Sequence, residues 1–180
     1  DFIMPVLPFY QFELKDKLNS KPQCFDSFNF LFLLQGTGTI RCRNQLIHLK
    51  PHDFTFFNMY EIHQFLTFSP DARVLSVLIH KSYIQSAVPE LTDMTLNTHT
   101  VTPESEPERY EFFCQEFGKF IYYHTVHSPG AQLHALSHLG NLLSYILNHL
   151  STSSASVLHG NQTRDDRLFH ALTYITEHYK

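Results

Sequence analysis

The 180 residues are 43% hydrophobic and 17% charged, enough apolar material for one buried domain and too little charge for a disordered chain. The net charge of −4 argues against a surface that grips a nucleic-acid backbone unaided. Three widely spaced cysteines, Cys24, Cys42 and Cys114, argue against a disulfide framework or a thiolate zinc site and suit a reducing, cytoplasmic compartment, and no run reaches the ~18 apolar residues of a membrane span.

The first elements are read from prolines and alternation. Phe2-Ile-Met-Pro5-Val-Leu-Pro8-Phe-Tyr-Gln-Phe12 is apolar, and its two prolines exclude a regular helix. It reads as an extended arm that covers something, or as an ordinary edge strand. Lys15 to Ser27 is a polar loop. Three apolar runs follow, separated by Gly36-Thr-Gly38, Arg43-Asn-Gln and Pro51-His-Asp53, and each has the aromatic and branched character of a strand. In the first run Leu31, Leu33 and Gln35 share one face, and Phe30, Phe32 and Leu34 share the other. Both faces are apolar, as expected if one lines an interior and the other packs on helices. Arg73 to Ile79 is a further buried strand. Ser82 to Leu91 is a short helix or a connection, and Thr92 to Pro107 is a loop.

From Glu108 the period changes to that of a helix. Tyr110, Phe113, Phe117, Phe120 and Ile121 recur at steps of three and four, and Ser128-Pro129-Gly130 ends the run. A second helix places Leu136, Leu139, Leu143, Ile146 and Leu150 in a stripe suited to a helix–helix seam. A small, polar segment then reads as a linker, and Arg164 to Tyr179 turns helical again.

These motifs resemble a known family. The apolar run before Gly36-Thr-Gly38, then Leu49-Lys-Pro51-His-Asp53, an aromatic run and Glu61-Ile-His63-Gln-Phe65 is similar to the N-terminal cupin-type barrel of AraC-type transcriptional regulators. The Pro5, Leu7, Pro8, Tyr10 and Phe12 pattern resembles the arm that folds over the effector in sugar-responsive members. The Asp166-Arg167, Ala171, Tyr174-Ile175 and His178-Tyr179 pattern resembles the first helix of their DNA-binding domain. The family usually has glycine where this chain has His52, so the turn is expected to be of a type that tolerates a side chain.

The resemblance implies a mainly β fold with C-terminal helices (α+β): a cupin or jelly-roll-like barrel followed by an antiparallel helix pair. It divides the chain into an arm at 1–12, an effector-binding barrel at 13–91, a helical dimerisation segment at 92–150, a linker at 151–163 and the first helix of a helix-turn-helix domain at 164–180. It implies a small-molecule effector held by Pro5, Phe12, Leu31, Leu33, Gln35, His63 and Phe65. It further implies a homodimer through Leu136, Leu139, Leu143, Ile146 and Leu150, and DNA contact only through a further C-terminal domain. Gln35 and His63 are neutral polar groups, which favours a sugar over an anion. For His63 the alternative is a core histidine bonded to backbone.

No cofactor and no catalysis are expected. Metal-dependent cupins place a His-x-His where this chain has Thr39-Ile-Arg-Cys-Arg43, and His63 alone does not hold a catalytic metal. A rearranged site with His48 and His52 stays open, as does chelation by the His134/His138 or His124/His127 pairs. No nucleophile elbow, phosphate loop or dinucleotide fingerprint occurs. The alternatives from other classes are a small metal-dependent cupin enzyme, an isomerase or dioxygenase, and a carbohydrate-binding module.

Overall fold

The computed structural model describes residues 9–87 and 94–153. Period-two runs become strands: β1 (Tyr10–Lys15), β2 (Ser27–Gln35), β3 (Gly38–Cys42), β4 (Gln45–Leu49), β5 (Phe54–Phe57), β6 (His63–Phe68) and β7 (Arg73–His80). A short helix α1 (Lys81–Ala87) follows, then β8 (Met94–Leu96) and β9 (Thr100–Val101). The helices α2 (Pro107–Thr125) and α3 (Ala131–His149) lead to β10 (Ser151–Ser153). The protein is therefore mainly β with helices toward the C-terminus.

The strands form open antiparallel sheets. One has the order β1-β7-β2-β5-β9, a second β4-β3-β6, and β8 pairs with β10. No sheet among the described residues closes on itself, so the expected barrel takes the form of two sheets packed face to face. β8 and β9 fall in a stretch read as loop. Their few Thr-rich residues carry little strand signal alone and are recruited by partners: Ser151 pairs with Leu96, and Val101 with Phe54.

The alternation on β2 separates two cores. Phe28 and Phe30 join Phe54 and Phe56 of β5 and Val77 and Ile79 of β7, and this face meets Phe113, Phe117 and Phe120 of α2. Leu31 and Leu33 point the other way and join Phe57, Val74, Ile40, Ile47, Leu49 and Phe65 between the two sheets. The apolar face predicted for the first helix is the one buried, and Pro107 opens that helix at its first turn, where a missing N–H costs nothing.

The turns show what the sequence pattern needs. Gly36 has φ of 82°, and a Cβ there would lie 2.7 Å from the Ala72 Cα. His52 also takes a positive φ, 77°, so the expectation of a turn that suits a side chain is corrected. Local contacts offset the strain: the His52 N–H donates to the Leu33 carbonyl at 2.6 Å, its ring stacks near Phe32, and Asp53 Oδ2 accepts the Lys50 N–H at 2.8 Å.

The stripe on α3 is a second correction. Leu136, Leu139, Leu143, Ile146 and Leu150 are 0–8% exposed within the single chain and belong to the core shared with α2 and the larger sheet. They are not available to a partner helix. Gln132, His134, Ser137, Asn141, Ser144 and Asn148 form the solvent face instead.

Candidate functional site

The packed core between the two sheets has an apolar wall and a polar end. Strand pairing sets the wall. Leu31 lies opposite Thr55 of β5 and Ser76 of β7, and Asn29 lies opposite Phe57. Asn29, Thr55 and Ser76 are all buried, so neutral polar groups interrupt the leucines on the inward face of the five-stranded sheet. Across from them Ile40 and Cys42 of β3 face in, while Arg41 is exposed.

His63, the first residue of β6, sits at the polar end and is 1% exposed. Its ring stacks on Phe57 with centroids 4.1 Å apart and planes within 5°. Nδ1 lies 3.1 Å from the Glu61 carbonyl, which only accepts, so Nδ1 carries the proton. Nε2 is then the acceptor, and Asn29 Nδ2 donates to it at 3.5 Å. Burial holds the imidazole down to about 4, outweighing the opposing pull of Glu61, so the ring is neutral near pH 7. The amide oxygen of the same residue, Asn29 Oδ1, is buried without a hydrogen-bond partner.

Beside His63 lies a buried carboxylate. Glu61 is 3% exposed; its Oε2 accepts the Asn58 N–H at 3.0 Å, and its Oε1 lies 3.0 Å from His99 Nε2 and 3.2 Å from Arg43 Nε. Burial raises its proton affinity, but the His99 hydrogen bond and charge, the Asn58 N–H and Arg43 more than offset this and keep the carboxyl below its usual range. Cys42 Sγ lies 3.8 Å from the same His99 nitrogen. Backbone bonds hold this corner: the His99 carbonyl accepts from Thr55 Oγ1 at 2.7 Å and from the Phe56 N–H at 3.0 Å.

The residues expected to bind an effector are thus only partly brought together. Leu31, Leu33, His63 and Phe65 share the interior, with His63 and Phe65 rings 5.8 Å apart. Gln35 does not join them. It lies beyond a register shift after Leu33, is exposed, and donates to Asp71 at 3.4 Å. Phe12 does not join them either. It pairs with Val77, whose side chain faces the helices, and packs against Phe120 and His124 of α2. Pro5 lies outside the described residues. A separate groove of about 360 Å³ opens near the Gly36–Gly38 turn, lined by Thr37, Thr39, His48, Thr67 and Ser69 among others.

The fold has known counterparts. The AraC-like transcriptional activator CuxR is similar over 87% of this chain and 54% of its own, with 9% identity and a TM-score of 0.53. Apo ToxT from Vibrio cholerae strain SCE256 is similar over 96% of this chain and 67% of its own, with 9% identity and a TM-score of 0.52. The chain shares its fold with AraC-like regulators. It spans 54% of the CuxR chain, so the likeness concerns one part of that protein. No protein-family model matches the chain, and no curated protein matches it by sequence.

Sequence reasoning missed Asn29, Glu61 and His99 as members of the polar end. Asn29 shares the period-two face of Leu31 and Leu33, which was the available signal. His99 had none, because it lies in a short turn between two strands that were read as loop.

Proposed function

We propose that this chain is the effector-binding part of an AraC-type transcription regulator, acting by binding rather than catalysis in the cytoplasm. It holds a neutral polar small molecule, a sugar by class, between its two sheets. Binding is passed through the helix pair to a DNA-binding domain that follows the linker. The observation that carries this reading is the neutral polar end wall, Asn29, Thr55, Ser76 and His63, in an otherwise apolar interior. A hydroxyl donating to the buried Asn29 Oδ1 would satisfy an acceptor whose isolation costs roughly 1–3 kcal/mol. Among the described residues of that wall His63 is neutral and Arg43 is engaged with Glu61, which favours a neutral ligand; Lys15 is the cation whose charge acts on His63.

Homodimerisation belongs to the same reading, but through a surface other than the α3 stripe. The outer groove between α2 and α3, lined by Cys114, Gly118, Tyr122, Tyr123 and His138, supports this, because Tyr122 is 60% exposed.

A thermal-shift screen of neutral sugars against carboxylic acids tests the effector class. A specific ligand at a hundredfold its Kd adds about 2.7 kcal/mol to stability, a shift of several degrees. Asn29→Ala should abolish that shift. Large shifts from carboxylates with none from sugars would overturn the reading.

A further inference from the structure

We propose that Cys42, Glu61 and His99 form a zinc-binding site that ties the two sheets together at the polar end of the interior. The three donor atoms, one thiol sulfur, one carboxylate oxygen and one imidazole nitrogen, all lie within 4.8 Å of one another. The set is a sound one for zinc: thiolate and imidazole select it over magnesium or calcium, and the three ligands leave a fourth position for water.

The two separations from His99 suit a single ion. Tetrahedral zinc with ordinary bond lengths sets its donor atoms roughly 3.3–3.6 Å apart. His99 Nε2 lies 3.0 Å from Glu61 Oε1 and 3.8 Å from Cys42 Sγ, a few tenths of an ångström from that range on either side. Each donor is already oriented by its surroundings. Cys42 closes β3, paired with Gln45 on one side and His63 on the other. Glu61 Oε2 is held by the Asn58 N–H, which leaves Oε1 for the metal. The His99 backbone is pinned through its carbonyl to Thr55 and Phe56. Groups that fix a ligand in this way are what a metal site needs around its donors.

One group competes with the ion. Arg43 Nε sits 3.2 Å from Glu61 Oε1, and its side chain is 46% exposed. On binding, the guanidinium swings into water and the ion takes its place as the counter-charge of Glu61. The Cys42 proton leaves to solvent as the thiolate binds, and the proton that His99 Nε2 donates to Glu61 Oε1 leaves with it or moves to Nδ1, freeing the Nε2 lone pair for the ion. The site does not depend on the chain's being a regulator, and it involves none of the α3 histidines.

The test uses the purified, reduced chain stripped with EDTA and titrated with zinc, and separately with cobalt(II). One zinc per chain is expected, with a thiolate-to-cobalt charge-transfer band and tetrahedral visible bands. Cys42→Ser should remove that band, and His99→Gln should weaken zinc binding by at least about tenfold. Arg43→Ala should tighten it, since the competing cation is gone. If Cys42→Ser does not fold, the wild-type cobalt spectrum decides alone. Substoichiometric zinc, a cobalt spectrum without a thiolate band, or affinity unchanged in both Cys42→Ser and His99→Gln would each overturn the proposal.

Discussion

The inward position of α3 is open to direct test. Leu139 is 1% exposed and Leu143 is 8% exposed, both inside the core that α3 shares with α2 and the larger sheet. Truncating such a leucine removes its transfer free energy and leaves a cavity, at a cost of about 2–5 kcal/mol. With a urea slope near 2 kcal/mol per molar, Leu139→Ala should lower the midpoint by roughly 1–2.5 M. Leu143→Asp adds the desolvation of a carboxylate to the lost burial, which together rival a typical domain stability of about 5–15 kcal/mol. It should be unfolded or molten. Gln132→Ala, on the solvent face of the same helix, should stay within about 0.5 kcal/mol of the parent. Urea denaturation with sedimentation on the same samples reads both stability and mass. A Leu143→Asp protein that keeps the parent midpoint and sediments at half the parent mass would show that the stripe is intermolecular, and would refute the packing argument.

Three further outcomes follow from the same structure. His63, held down to about 4, is neutral in the fold but takes up a proton near 6.5 once unfolded, so stability is present above pH 6.5 and lost as pH falls toward 4. Between pH 7.5 and 5 this is about 2 kcal/mol; urea midpoints in EDTA should fall more steeply for the parent than for His63→Gln, and equal slopes would contradict the assignment. His52→Gly relieves a positive φ of 77° and should raise stability by about 1 kcal/mol less the loss of its Phe32 contact, and a clear fall in Tm would mean that contact dominates. Phe113 is fully buried against Phe30, Phe54, Phe56 and Tyr145, so Phe113→Ala should cost about 3–5 kcal/mol by chemical denaturation, and a loss below about 1 kcal/mol would mean α2 does not seat on the sheet.

Much of the fold was legible because period carries it. Alternation on β2 assigned Leu31 and Leu33 to one side and Phe30 and Phe32 to the other, and the three-and-four spacing of Phe113, Phe117 and Phe120 gave the buried face of α2. The stripe on α3 was equally periodic, but a coiled-coil seam and a core face share that pattern. What separates them is whether the same chain covers the stripe, which spacing does not encode. Phe12 and Gln35 lie off the inter-sheet core for a geometric reason: a strand's alternation fixes which residues share a face, not which side that face takes once a neighbour or a register shift intervenes. The polar end was illegible for another cause. His99 meets Glu61 and Cys42 across 38 and 57 residues of chain, and only the packing of two sheets brings them together.

The two faces of β2 have a mechanical consequence. β2 and its neighbour β5 act as a diaphragm between two packed cores, since Leu31 and Thr55 look into one while Phe30 and Phe54 look into the other. Side chains in close-packed cores leave little slack, so a change of volume on one side moves the strands as a sheet rather than being absorbed locally. The rings of Phe30 and Phe54 rest within 6.0 Å of Phe113 and Phe117, so that displacement is handed to α2 without a hinge. Composition on the two sides can therefore drift independently, but position cannot: a change of volume in the core between the sheets shifts the seat of the helices.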